Sequence, residues 1–371
     1  MIYVILAYVS YPFIYLAAKL FPPKGPESIL VFQTAKIGDM ICTSPIFREI
    51  KKARPNARIG VMIDPSTSDL IKYNPYVDEI FELGSKDSKG IGVKISLAVA
   101  IRSKGYTSAV ILSANATNIL SAFWAMLPVR VCVGPDYAGG TLRKLIALNT
   151  HIEWHAAGKM TMETFALCLR HLGIKAGRLD KEVYAPPGLD FTNYLNGASP
   201  FVGLFPCTGN PMKEWGKSNF IDLGRLILAN TECSVVLLGS AKERDLIGEI
   251  DSALRAGGEG ERVINLCGEF TLAELPLIIR KLSAVVGVDT GLIYMADAER
   301  VPLIDISGPS DINDQRPTGK NAVIIQNKLD CVPCSHTFKT PYKCVKGHRR
   351  CLVDVKPEDV YARLAKLLPN H

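Results

Sequence analysis

Short runs of branched apolar residues alternate with helix-like segments along nearly the whole chain, and this alternation restricts the fold more than any other feature. SILVFQ at Ser28–Gln33 and RIGVMI at Arg58–Ile63 carry no polar–apolar alternation. Such runs suit strands covered on both faces, as in a parallel sheet with helices on either side. Further strands are expected at Glu79–Leu83, Ser108–Leu112 and Val129–Val133, with helices at Met40–Ala53, Val93–Lys104, Asn118–Leu127 and Met160–Leu172. The stretch Gly173–Pro200, with Pro186-Pro187-Gly188, has no sustained helical period and reads as a linker. The pattern then resumes. Strands are expected at Phe201–Phe205, Ser234–Leu238, Val263–Leu266, Val285–Val288, before Ser307-Gly308-Pro309, and at Ala322–Ile325. Helices are expected at Ser218–Ala229, from Glu243, at Thr271–Leu282 behind a Thr271/Glu274 capping box, and at Glu358–Leu368. The fold class is therefore α/β, with two open parallel sheets whose ligand sites lie at the carboxyl ends of the strands.

The expected domains are a hydrophobic membrane-associating segment at 1–24, an α/β domain at 28–180, a second at 195–328, and a cysteine-rich segment with a terminal helix at 329–371. Met1–Ala18 contains no charged residue, and Lys19 and Lys24 follow. That length can just span a hydrocarbon core of roughly 30 Å. Pro12 falls at its middle, which leaves an interfacial or re-entrant helix open, as is a buried N-terminal helix. If the segment spans, the lysines keep the body of the protein on the cytoplasmic side. A net charge of +7 suits an anionic small molecule or an acidic membrane surface. No RNA-binding signature, paired-histidine zinc finger or basic–aromatic interleaving is present, so nucleic acid is not an expected partner.

Val285–Pro309 delivers Asp289-Thr290-Gly291 from a strand into the first turn of a helix. The free N–H groups and dipole of that turn favour a phosphate, and glycine permits close approach. An ordinary Asp/Thr helix cap explains the same residues. Lys36-Ile37-Gly38-Asp39 follows the first strand, where a carboxylate can take a proton from a hydroxyl, or simply cap the next helix. His151 and His155 precede a helix and are read as acceptor contacts or surface and capping groups. Arg316 and Lys320 lie in a basic loop suited to phosphate or to solvent.

Six of the ten cysteines are scattered singly in apolar or turn contexts, as expected of reduced thiols in a cytoplasmic protein. The others, Cys331, Cys334, Cys344 and Cys351, form CxxC-x9-C-x6-C. Four thiolates in a short loop suit a structural metal, zinc first and iron second, with His336 or His348 as substitutes; disulfides or unlinked thiols are the alternatives.

Five pieces together resemble the bacterial heptosyltransferases, glycosyltransferase family 9: ILVFQTAKIGDMICTSPIFREIKKARPNARIGVMI, NPYVDEIFEL, KEWGKSNFIDLGRLI, VVLLGSAKERD and VVGVDTGLIYMADAERVPLIDISGP. They occur in the family's order over about residues 28–325. The resemblance implies a GT-B fold of two Rossmann-like domains. It also implies inverting, metal-independent transfer of a heptose from a nucleotide sugar, typically ADP-heptose, to the lipopolysaccharide inner core. By the same resemblance Asp39 matches the general base and Lys213 a lysine that meets the diphosphate. Glu243 matches a nucleoside contact, and Asp289, Thr290 and Gly291 match the donor loop. Tyr294 stands where the family usually has histidine, and it cannot carry that residue's positive charge. No acceptor-binding residue is identified. The expected partners are a nucleotide sugar, a glycolipid and the inner-membrane surface, with no cofactor for catalysis. Cysteines like these occur in a subset of the family, including autotransporter heptosyltransferases that bind iron, so a protein acceptor is an alternative. An epimerase on the same fold and a non-catalytic sugar-nucleotide-binding subunit are the others.

Overall fold

The computed structural model describes residues 2–84, 90–195 and 200–368. It divides into two compact units, Met1–Leu179 and Asp180–His371. The division falls inside the stretch read as a linker, which holds no α-helix or strand among its described residues.

The first unit contains β1 (Ser28–Gln33), β2 (Arg58–Ile63), β3 (Glu79–Glu82), β4 (Ser108–Ile111), β5 (Val129–Pro135) and β6 (His151–His155). They form one parallel sheet in the order β3-β2-β1-β4-β5-β6. Its helices are α1 (Ile2–Leu20), α2 (Ile37–Ala53), α3 (Ser68–Ile71), α4 (Ile91–Ser103), α5 (Ala116–Trp124), α6 (Gly140–Ile146) and α7 (Thr161–Arg170). β1 is buried along its whole length, which is why its sequence is uninterrupted by polar residues. Leu30, Phe32, Ile111 and Phe123 share one core cluster with Ala7 of α1. Gly60 lets a side chain cross β2: a Cβ there would stand 2.0 Å from the Tyr106 hydroxyl, which donates to Glu79 Oε2 at 2.7 Å.

The second unit repeats the plan with β7 (Phe201–Phe205), β8 (Ser234–Leu237), β9 (Val263–Asn265), β10 (Ala284–Val288), β11 (Leu303–Ile306) and β12 (Ala322–Ile325). These form a parallel sheet in the order β12-β11-β10-β7-β8-β9. The helices are α8 (Lys217–Asn230), α9 (Arg244–Leu254), α10 (Leu275–Ile279), α11 (Gly291–Ala298), α12 (Arg350–Val353) and α13 (Pro357–Leu364). Cys351, Leu352, Val360 and Leu364 belong to the same apolar cluster as Val202, Leu237 and Val286, so the C-terminal segment is built into this unit's core. Gly308 has φ +50°, and a Cβ on it would lie 2.7 Å from Leu352, so glycine is what allows that helix to seat.

Two elements differ from expectation. His151–His155 is an edge strand rather than a lead-in to a helix. Its sequence HIEWH lacks a branched apolar run, and pairing with β5 is what makes it a strand. The helix expected at Thr271–Leu282 is confined to Leu275–Ile279. The capping box does form, with Thr271 N–H and hydroxyl both donating to Glu274 Oε2 at 2.8 Å. Pro276 has no N–H to continue that turn, so the helix starts afresh with proline in its first turn.

Candidate active site

In both sheets the connections reverse direction at one point, between β1 and β4 and between β7 and β10. Loops diverge there and leave a crevice at the carboxyl ends of the strands. The second unit places a buried polar network at this point. Asp289 immediately follows β10, and Lys213 lies in the loop after β7. Lys213 Nζ donates to Asp289 Oδ2 at 2.6 Å, bridging the two strand ends. Tyr294 Oη donates to Asp289 Oδ1 at 3.0 Å, and Ser310 Oγ donates to Oδ2. Burial by itself pushes the Asp289 pKa up; the Lys213 charge and the three donors outweigh it and hold the carboxyl below its ordinary value. Asp289 therefore stands as a buried carboxylate paired with Lys213.

Thr290 is the N-cap of α11 and Gly291 its first residue, both half-buried. The first-turn N–H groups and the Lys213 ammonium lie on one strand edge, an arrangement chemically suited to an anion. Tyr294 is only 4% exposed, so its hydroxyl works through Asp289. Glu243 follows β8 and accepts from Ser240 N–H at 2.6 Å and Ser240 Oγ at 2.9 Å, a capping box that shapes the turn.

Sequence reasoning did not find the group behind Asp289. Asp305 on β11 is 1% exposed and sits opposite Gly287 in the β10–β11 register. It accepts from Ser307 Oγ at 2.7 Å, while its Oδ1 is buried without a hydrogen-bond partner. Burial, with the nearby Asp289 charge, pushes its pKa up to about 8. Its signal in the sequence was a lone acid inside an apolar strand, LIDI.

Asp297 of α11 fixes the basic loop. It pairs with Lys181 at 2.8 Å and accepts from the N–H groups of Thr318 at 2.9 Å and Gly319 at 2.7 Å. Arg316 donates to Ile312 O at 2.7 Å, and Lys320 is exposed.

In the first unit Asp39 stands in the first turn of α2, and its Oδ2 accepts from Lys36 N–H at 3.3 Å. Beside it, across the switch between β1 and β4, lies a polar cluster that sequence reasoning missed. Asn118 Nδ2 donates to Thr34 Oγ1 at 2.9 Å and to Ser113 O at 2.8 Å, and Asn115 caps α5 through Thr117 and Asn118 N–H. Asn118 Oδ1 is buried without a hydrogen-bond partner. His155 is instead a buried side chain bonded to Thr164 at 2.8 Å, which removes it from the acceptor reading. His151 lies against His171, with ring centroids 4.8 Å apart and the planes tilted by 35°, on the sheet edge.

All four clustered cysteines are free thiols, and among the described residues no three His, Cys, Asp or Glu groups converge on a metal-holding point. Of the four, Cys351 is buried and packs against the apolar core. His336 Nδ1 lies 3.2 Å from Asp311, and His348 Nδ1 accepts from Arg350 N–H. Backbone N–H groups of residues 346–349 hold the Cys344 thiol below its ordinary pKa, whereas burial raises that of Cys334. The segment carrying them braces the two loops that supply Lys213 and Ser310 to Asp289. Asn210 Nδ2, three residues before Lys213, donates to Pro341 O at 3.0 Å, and Trp215 Nε1 donates to Val355 O at 2.9 Å. Cys334 and Ser335 N–H donate to Pro309 O at 3.0 and 3.1 Å, next to Ser310.

The model of glycosyltransferase family 9 (heptosyltransferase) matches residues 95–345. Lipopolysaccharide heptosyltransferase 2 of Salmonella typhimurium is 26% identical over 357 residues, spanning 92% of this chain and 98% of that protein. Lipopolysaccharide heptosyltransferase 3 of Escherichia coli is 22% identical over 347 residues, 90% of this chain and 97% of the relative. Among solved structures, E. coli ADP-heptose lps heptosyltransferase II superposes with a TM-score of 0.72 at 23% identity, covering 92% of this chain and 98% of that one. The iron-containing dodecameric heptosyltransferase TibC, in complex with ADP-D-beta-D-heptose, superposes with a TM-score of 0.56 at 14% identity, covering 93% and 76%.

Proposed function

Because the chain belongs to glycosyltransferase family 9 and is thus a transferase, we propose that it moves a heptose from ADP-heptose onto a lipopolysaccharide-core-type glycolipid at a membrane surface. The observation that carries the reading is the Lys213–Asp289 pair at the head of α11, flanked by Tyr294 and Ser310. It offers a positive charge and helix N–H groups where a diphosphate can lie, which is what a departing nucleotide requires.

In this reading Asp39 is the general base. The acceptor hydroxyl oxygen bonds to the anomeric carbon as its proton passes to the Asp39 carboxylate. The bond from that carbon to the diphosphate oxygen breaks, and ADP leaves with the electron pair. Attack from the face opposite the leaving group inverts the anomeric centre. Lys213 and the first turn of α11 offset the charge gathering on the diphosphate. Thr290 and Gly291 line the donor loop, Glu243 shapes the nucleoside side, and Tyr294 holds Asp289. Thr34 and Asn115 contact the acceptor, and Asn118, buried beneath them, positions Thr34 through its Nδ2 donation.

The four clustered cysteines are assigned a structural metal, zinc or iron, and no catalytic step passes through it. Support comes from their mutual electrostatic influence and from the N–H groups gathered on Cys344. Their role would be to tighten the segment that braces the donor loops. Metal analysis of purified protein decides this: less than about a tenth of an equivalent of zinc or iron sinks it.

The test of the main reading is incubation of the purified protein with ADP-heptose and heptose-deficient core lipid, following ADP release and the mass of the lipid. Turnover should be lost in Asp39→Ala while ADP binding survives. Conversion of the donor without acceptor would indicate an epimerase instead, and donor binding without turnover on lipid or protein acceptors would indicate a binding subunit.

A further inference from the structure

Helix α1 is apolar on two faces, and only one of them is covered. Its inner face is seated on the first unit along its length. Ala7 is fully buried, Tyr11 stacks on Phe123 at 5.9 Å, and Trp124 Nε1 donates to Ser10 Oγ at 3.3 Å. Tyr8 Oη donates to Lys144 O at 3.0 Å. At the two ends of the helix, Lys94 lies over the Tyr3 ring and Arg102 donates to Phe21 O. The outer face carries Ile2, Leu6, Val9, Phe13, Leu16 and Leu20, all exposed, with Val9 at 65% and Phe13 at 72%. These six, spaced three, four and seven residues apart, lie within about 100° of the helix circumference, and Ile5, Tyr8 and Tyr15, also exposed, widen the apolar surface on one side. The neighbouring α4 exposes Ile91, Ile95 and Val99, four residues apart and so on one face of that helix.

The charge around this surface is one-sided. Helices α1, α4, α5 and α6, which pack on one another, carry Lys19, Arg102, Arg143 and Lys144, with Lys94 buried beneath them, and no aspartate or glutamate. A protein partner is not singled out by that pattern, whereas an anionic lipid surface is: it takes an apolar stripe a few ångströms into the acyl boundary and pairs cations with headgroups.

We infer that α1 lies in the plane of an anionic membrane rather than across it, and that its outer stripe together with Ile91, Ile95 and Val99 of α4 forms the docking face. This rests on the reading of the protein as a membrane-surface enzyme and specifies how it attaches. A spanning orientation would strip α1 from Phe123, Trp124 and Lys144, or pull the Lys94 and Arg102 charges into hydrocarbon with it, and a charged group at the bilayer centre is strongly disfavoured.

The experiment is co-sedimentation of the full-length protein with phosphatidylcholine vesicles and with vesicles containing about one third phosphatidylglycerol, alongside alkaline carbonate extraction of expressing-cell membranes. Binding should require the anionic lipid, weaken with salt, and fall by more than about tenfold in Phe13→Glu/Leu16→Glu. Ile95→Glu/Val99→Glu should weaken it by a similar factor, and Arg143→Gln by about fivefold, the loss for one headgroup-facing charge. All these side chains are exposed, and an unchanged thermal unfolding midpoint identifies the folded variants. Carbonate should release the protein. Carbonate resistance combined with no effect of the α4 substitutions overturns the in-plane face while leaving membrane association standing. Absence of binding to either vesicle, with transferase turnover intact, overturns both.

Discussion

Replacing Lys213 by methionine separates the role of its charge from that of its stem. The ammonium lies 2.6 Å from Asp289 Oδ2, and the carboxylate it serves is buried. Removing one partner of a buried ion pair costs roughly 3–5 kcal/mol, because the other charge is left behind. Lys213 keeps 19% of its side-chain surface in water, and Ser310 and Tyr294 still donate to Asp289, so the lower end, about 3 kcal/mol at pH 7.5, is expected. The pH dependence is the sharper test. In the native protein the Asp289 pKa is depressed, so its stabilisation is present above the unfolded carboxylate value and is lost as pH falls through the folded one. In Lys213→Met burial is opposed only by two hydroxyl donors, and the pKa rises. The variant's deficit must therefore shrink as pH is lowered through the carboxylate range, at no more than about 1.4 kcal/mol per pH unit for one proton. Equilibrium urea unfolding of both proteins from pH 4 to 8 measures this. A deficit below about 1 kcal/mol at pH 7.5, or one that stays constant with pH, would refute the argument that Lys213 is what keeps Asp289 ionised.

Other outcomes follow from the same network. Asp305 has a raised pKa near 8, so its contribution is favourable at low pH and lost as pH rises from about 4 through 8; Asp305→Asn should flatten that loss and be the more stable form at pH 8.5 by at least about 1 kcal/mol by urea unfolding. Tyr294→Phe removes one hydrogen bond to a buried carboxylate and should lower stability by about 1.5–3 kcal/mol, with ADP affinity by calorimetry falling while the acceptor KM holds. Asn118→Ala removes a hydrogen bond that holds Thr34 and should raise the acceptor KM by about tenfold, the worth of about one hydrogen bond, and leave ADP affinity unchanged; an equal loss of donor affinity would remove Asn118 from the acceptor side. Asp39→Asn should reduce kcat by about 10²–10⁴-fold at unchanged ADP affinity, the range for a general base.

The amino-acid sequence alone determined the twofold α/β plan. Ser28–Gln33, Arg58–Ile63 and Phe201–Phe205 are uninterrupted apolar runs, and a run buried on both faces has few ways to be satisfied except inside a covered parallel sheet. It also exposed Asp39 and Asp289-Thr290-Gly291, because strand-to-helix turns carry local signals of capping and glycine. It under-determined the elements whose cause lies elsewhere in the chain. β6 is a strand through its pairing with β5, and a capped helix at Thr271 stops short because one proline outweighs its cap. Only the tertiary structure decided what surrounds Asp289. Lys213 is 76 residues away, Ser310 is 21, and Asp305 reaches it through the sheet register. The same holds for α1, whose composition fits a spanning helix and an interfacial one equally well. Its packing on Phe123 and Trp124 was invisible in the sequence, because contacts between residues more than a hundred positions apart leave no mark on hydropathy.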